Sequence, residues 1–153
     1  CIGGGLATAL SADVRFATPD SSFGIPAAKL GLGYDYGGLK ALCNLVGPSR
    51  AKDIMFSARF LEVEEALRIG LINFVVSREE LEQEVKDYAK MIAANAPLTV
   101  KAAKAAVNEA MKDAASRDID SVNAMVNACF DSEDYKEGRR AFKEKRKPSF
   151  QGR

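Results

Sequence analysis

Two stretches of the chain hold residues whose types and spacing could do chemistry. Near the start, Gly3-Gly4-Gly5 runs directly into Leu6-Ala7-Thr8-Ala9-Leu10, a small, apolar, helix-compatible run. Glycines let a backbone approach a ligand closely, and a helix start aims unpaired N–H groups at developing negative charge. The same triplet serves equally well for plain close packing. The second stretch, Leu30 to Gly38 (LGLGYDYGG), carries four glycines and a single acid, Asp35, flanked by Tyr34 and Tyr36. A carboxylate between two rings is open to partial desolvation, which raises a carboxyl pKa toward the range useful for proton transfer. An Asp among glycines is also a common turn former that bonds its own backbone. Other chemistries are closed. With no His in the chain, Ser-His-Asp triads, Cys-His pairs and His-ligated metals are excluded within it. Cys1, Cys43 and Cys129 are far apart and odd in number, so they make neither a disulfide framework nor a CxxC metal site. A reduced, intracellular setting is expected, cytoplasmic or, in a eukaryote, mitochondrial.

The elements that must position these residues read as a mixed α/β front and a helical back. A length of 153 residues is a soft prior for one domain, and 47% hydrophobic with 28% charged residues is ordinary for a globular chain. A formal net charge of +1 gives no electrostatic case for a nucleic-acid or membrane-surface protein. No apolar run approaches the roughly 20 residues that span a bilayer. Strands are expected at Val14–Thr18, at Ser22–Ile25 and at Leu71–Val76. Leu39–Val46 reads as a helix stopped by Gly47-Pro48, with Ser49 opening another to Ala58, and Val63–Leu67 as a third ended by Gly70. Ser77 with Glu80 three residues on has a capping-box pattern. Leu81, Val85, Tyr88, Ala89 and Ile92 then fall on one helical face. Pro97 suits the first turn of the next helix, and Ile119–Phe130 carries a further amphipathic pattern. From Asp134 to Arg153 there are eight Lys/Arg against three acids. Because the chain opens on Cys1 rather than Met, it reads as a piece starting inside a domain, with any targeting segment lying upstream.

The stretches CIGGGLATALSADVRFAT, FGIPAAKLGL, GGLKALCNLVG, AKDIMFSARFLEVEEALRIGLINFVV and the ending DYKEGRRAFKEKRKPSFQGR together resemble the crotonase superfamily, the enoyl-CoA hydratases and isomerases. The resemblance covers nearly the whole chain and corresponds to the C-terminal part of a longer family protein. It implies an α/β fold: a fragment of a spiral of ββα units over residues 1–76, followed by a helical trimerisation and CoA-contact module over 77–153. It also implies an acyl-CoA substrate bound with its thioester carbonyl between two backbone N–H groups, which stabilise the enolate that forms. One of these amides corresponds to Gly4; the other belongs to a segment upstream of this chain. Coenzyme A is then part of the substrate, with no separate cofactor and no metal. The expected assembly is a homotrimer or a hexamer built as a dimer of trimers, without nucleic-acid or membrane partners.

The chain departs from the hydratase pattern at two positions. Hydratases of the family hold a water with two glutamates, one two residues after the glycine triplet and one after the Pro of the FGxP segment; here these are Ala7 and Ala27. General acid–base catalysis contributes about 10²–10⁴-fold, so an efficient hydratase of the usual kind is not expected. Some family isomerases and dehalogenases place an acid a few residues before the next helix, where this chain has Asp35. The expected reaction is double-bond isomerisation, with Gly4 stabilising the enolate and Asp35 as acid/base. Leu6, Ala7, Pro26, Ala27 and Tyr34 are expected to line the acyl pocket. Phe142 and Lys145, three apart as on one helical face, correspond to family residues that contact the CoA nucleotide. Decarboxylation, dehalogenation, an unusual route of hydration, or CoA-ester binding without turnover are the alternatives.

Overall fold

Glycine, proline and capping side chains set the helix boundaries in a computed structural model that describes residues 1–153. The first helix, α1 (Gly4–Ala9), starts at Gly3, whose φ of 55° suits glycine. Helix α2 (Tyr36–Ser57) is broken at Gly47 (φ 78°, ψ 161°) just before Pro48, so the expected pair of helices is found. The first of the pair begins earlier than expected because Asp35 caps it. Proline at the start of the second half gives up an N–H that has no helical partner there. Helix α3 (Val63–Arg68) follows, and α4 (Leu81–Ala93) is preceded by the Ser77–Glu80 turn. There the Glu80 N–H donates to Ser77 Oγ at 3.2 Å, and that hydroxyl donates to Glu80 Oε2 at 2.7 Å.

The strands are shorter than the sequence suggests. β1 (Phe16–Ala17) pairs in parallel with β4 (Phe74–Val75), and β2 (Ser22–Phe23) pairs antiparallel with β3 (Leu61–Glu62). An isolated parallel bridge joins Ile2 to Gly24. Leu71 and Ile72, just before β4, are core residues beyond the paired positions, so the apolar run there extends further than the ladder.

The chain folds as two compact units, Cys1–Val85 and Lys86–Arg153, with the division inside α4. In the first unit, Leu6, Phe23, Ile25, Leu42, Ile54, Leu61, Val63, Leu71 and Ile72 form the core. One buried arginine ties its edges together. Arg15, 8% exposed, donates from Nε to the Leu71 carbonyl at 2.7 Å and from a guanidinium nitrogen to Ala12 O at 2.5 Å. Burial pulls its pKa below the usual arginine value, offset in part by Asp13. Arg59 grips Glu65 of α3 with two donors (2.7 and 2.8 Å) and Asp53 of α2 at 2.7 Å. Arg59 holds Glu65 below the ordinary carboxylate range, and the clamp braces the left-handed turn at Ala58 (φ 48°).

The second unit is helical: α5 (Pro97–Ala110) packs on α6 (Ile119–Asp131), which contacts α7 (Glu133–Glu144). Its C-terminal tail folds back on α7. Asp134, 3% exposed, accepts from the Gln151 N–H at 2.6 Å and the Gly152 N–H at 2.8 Å, and its own N–H donates to Arg153 O at 3.2 Å. Phe150 lies against Gly138, where a Cβ would stand 3.5 Å from the ring. No helix is long and apolar enough to cross a membrane.

Replacing Arg15 by Met keeps the stem but strands the buried Leu71 carbonyl. A loss of about 1–3 kcal/mol is expected, read as a lower urea midpoint with unchanged slope.

Candidate active site

The glycine triplet leaves one amide unpaired. The Gly3 N–H donates to Gly24 O at 2.8 Å and the Gly5 N–H to Ile2 O at 3.1 Å, while Gly3 O accepts from the Ala7 N–H at 3.0 Å. Gly4 is exposed, its N–H donates to no protein group, and nothing stands within 4 Å of where a Cβ would be. Gly4 therefore presents a free N–H in the first turn of α1, with room for a ligand atom beside it.

The bond from Gly3 to Gly24 brings the FGIP segment alongside. Ile25 is buried, and Pro26 opens a short 3₁₀ turn (Pro26–Leu30) that packs against α2. The expected pocket residues divide here. Leu6 and Ala27 are only 1% and 4% exposed and belong to the core cluster, whereas Ala7, Pro26 and Tyr34 are half-buried. Leu6 also lines a partly open cavity of about 340 Å³, with Phe23, Ile72 and Arg15. Position 27 lies in apolar packing, so a carboxylate placed there would need a buried partner.

Asp35 is the N-cap of α2. Its Oδ1 accepts from the Gly38 N–H at 2.9 Å, while Oδ2 has no hydrogen-bond partner and the residue is exposed. Glycines on the first turn make this geometry possible. A Cβ at Gly38 would lie 2.8 Å from Tyr34 Cε1 and 3.2 Å from Asp35 Oδ2, and one at Gly37 would lie 3.1 Å from Oδ1. Tyr34 packs on the core cluster, whereas Tyr36 points outward, 75% exposed. The two rings therefore do not enclose the carboxylate, and Asp35 combines one anchored oxygen with one open oxygen.

Phe142 and Lys145 lie in the helical unit. Phe142 is 88% exposed and borders an apolar groove of about 560 Å³ shared with Leu98, Val126, Phe130, Tyr135 and Phe150. Lys145 is not on the helical face expected for it. Helix α7 ends at Glu144, and Lys145 is its C-cap in the left-handed region (φ 56°, ψ 37°). That conformation costs a non-glycine residue roughly 1–2 kcal/mol. The Lys145 ammonium makes no ion pair or hydrogen bond. Sequence reading passed over the two acids that shape this end. Asp134 docks the tail, and Glu137 accepts from Arg146 (2.6 and 3.0 Å), from Arg140 and from the Ser149 N–H (3.1 Å). These donors hold Glu137 far below the ordinary carboxylate range. Their spacing, nine and twelve residues from Glu137, has no local periodicity that would reveal it. No group of His, Cys, Asp and Glu side chains is placed to hold a metal ion.

Comparison with known proteins places the fold. A crystal structure of an enoyl-CoA hydratase/carnithine racemase from Magnetospirillum magneticum superposes with a TM-score of 0.87 at 33% identity, over 100% of this chain and 57% of that one. The fold is therefore crotonase-like α/β with a helical C-terminal part. The family profile of enoyl-CoA hydratase/isomerase matches residues 1–153. The crotonyl-CoA hydratase of Syntrophomonas wolfei is 41% identical over 149 residues, 97% of this chain and 57% of that protein. The carnitinyl-CoA dehydratase of Salmonella typhi is 37% identical over 155 residues, 99% of this chain and 59% of that protein. The chain belongs to the enoyl-CoA hydratase/isomerase family of the crotonase superfamily, and it spans a little over half the length of these relatives.

Two predictions follow from the caps. Asp35→Ala should cost about 1 kcal/mol of stability by removing the bond to Gly38, while Asp35→Asn, an equally good cap, should leave the melting temperature nearly unchanged. Glu137, whose folded pKa its donors hold well below the ordinary carboxylate range, contributes stability that is present above that range and lost as pH falls through the folded pKa. Amide exchange at Ser149 should thus stay slow through the pH range in which ordinary carboxylates titrate, and a rise in exchange near pH 4.5 would contradict it.

Proposed function

We propose that the protein acts on an acyl-CoA thioester, with the Gly4 N–H as one donor to the thioester oxygen as an enolate forms. The observation that carries this reading is the unpaired, exposed Gly4 amide at the start of α1, beside a segment that its neighbour Gly3 binds. A preorganised N–H aimed at charge that develops only in the transition state lowers the barrier without reorganisation. Coenzyme A enters as part of the substrate, without a further cofactor. Phe142 offers an exposed ring to the adenine and Lys145 an unpaired ammonium to phosphate. A trimer or hexamer is the assembly proposed.

Within that chemistry we infer double-bond isomerisation. Asp35 Oδ2 takes the proton from one carbon of a β,γ-enoyl thioester, the electrons move onto the oxygen held by Gly4, and the same carboxyl returns the proton at the far carbon. The anchored Oδ1 fixes the carboxyl while Oδ2 stays free to carry the proton. Ala7 and Ala27 support this over hydration, since neither can hold or activate a water. A second reading, hydration of a short-chain enoyl-CoA, is favoured by the naming of the Syntrophomonas wolfei relative as a crotonyl-CoA hydratase.

Paired substitutions in the full-length protein test both steps. Gly4→Pro deletes the N–H at a first-turn position where proline fits a helix, and kcat should fall about 10²–10³-fold if that amide holds the oxyanion. Asp35→Asn should abolish migration of a β,γ-double bond while the protein melts as before. Hydration of an α,β-enoyl-CoA that persists in Asp35→Asn, with no migration in the unaltered protein, would establish the second reading instead.

A further inference from the structure

The end of α7 is more heavily constrained than a helix terminus requires. Lys145 adopts a left-handed backbone that a glycine would take freely. The Arg146 N–H closes the turn on Ala141 O at 3.0 Å. The Arg146 side chain then reaches back along the helix, with two bonds to Glu137 (2.6 and 3.0 Å) and one to Glu144 (2.6 Å). Glu137 is only 11% exposed, and it also holds Arg140 and the Ser149 N–H. Lys145 thus lies between a helix that has ended and a residue clamped on both sides. The cations Lys136, Arg140 and Arg146 are paired with carboxylates, whereas the ammonium groups of Lys145 and its neighbours Lys143 and Lys147 are left available.

We propose that Glu137 is a positioning residue for nucleotide recognition: by gripping Arg146 it holds Lys145 in its left-handed conformation and fixes where the ammonium is presented. This inference rests on the reading of Lys145 as a contact to the CoA nucleotide. Non-glycine residues populate the left-handed region only sparsely when nothing holds them there. Loosening the grip therefore lowers the competent fraction, and apparent affinity falls in proportion. Removing a nearby negative charge would by itself strengthen binding of an anionic ligand, so electrostatics and positioning predict opposite signs.

The test uses the full-length protein and two probes, free CoA and pantetheine, which lacks the nucleotide. Lys145→Gly suits the left-handed backbone and removes the side chain that carries the ammonium. Glu137→Ala should raise the Kd for CoA on the order of tenfold and leave that for pantetheine unchanged. In the Lys145→Gly background, Glu137→Ala should add nothing. If Glu137→Ala does not melt cooperatively, Glu137→Gln keeps the side chain's size, removes the charge that grips Arg146, and should behave alike. An unchanged or lower Kd for CoA, equal losses for both probes, or additive effects in the double variant would overturn the inference while leaving the CoA contact standing. Unaltered CoA affinity in Lys145→Gly would overturn the contact itself, and the positioning role with it.

Discussion

The first unit depends on how closely three segments approach at Gly24. On one side the Gly3 N–H bonds to the Gly24 carbonyl at 2.8 Å, and the Gly24 N–H to Cys1 O at 3.4 Å. On the other, a Cβ at position 24 would stand 3.0 Å from the Arg59 carbonyl and 2.5 Å from the Phe60 ring. The ring could swing away, but the carbonyl is part of the backbone beyond α2. A residue without a side chain is thus the condition for the N-terminal segment, the FGIP segment and the end of α2 to share one place. The free amide of Gly4 lies beside it: the Gly3 N–H makes the junction, the Gly5 N–H turns back to Ile2 O, and Gly4 holds a first-turn position whose N–H has no helical partner.

Local features were legible in the sequence and long-range ones were not. The stop at Gly47-Pro48, the Ser77–Glu80 turn and Pro97 at a helix start each depend on residues within a few positions, and their chemistry can be read directly. The strand runs were recognisable as apolar, but the length of a ladder is set by its partner. Nothing near Phe16 in the sequence announces that its partner is Phe74. Arg15 illustrates the same limit. An arginine in an alternating segment reads as the exposed face of a strand, yet it is buried because carbonyls at Ala12 and Leu71 accept from it.

Of the candidate site, the glycine triplet and the family resemblance pointed to Gly4. Of the two readings of Asp35, the turn former is seen in the cap, where Oδ1 accepts from the Gly38 N–H, and the second oxygen stays open. The C-terminal contacts were placed by pattern alone, and the pattern assumed a helix one residue longer than the chain forms. Lys145 lies beyond the last turn because the Schellman-type bond from Arg146 to Ala141 closes the helix there. Leu6 and Ala27 belong to the core packing, whereas Ala7, Pro26 and Tyr34 keep some exposed surface.

The cap at Asp35 also bears on how such a chain could change its chemistry over evolution. A helix N-cap accepts Asp, Asn, Ser or Thr at similar cost, so position 35 can gain or lose an ionisable group by a single substitution without a toll on the fold. Most residues that carry protons in enzymes lack such freedom, because their burial ties them to partners that must change as well. Here the selective cost of exploring a new reaction at this position is close to nil. A lineage could drift between variants with and without an acid at 35, and selection would act on the reaction alone.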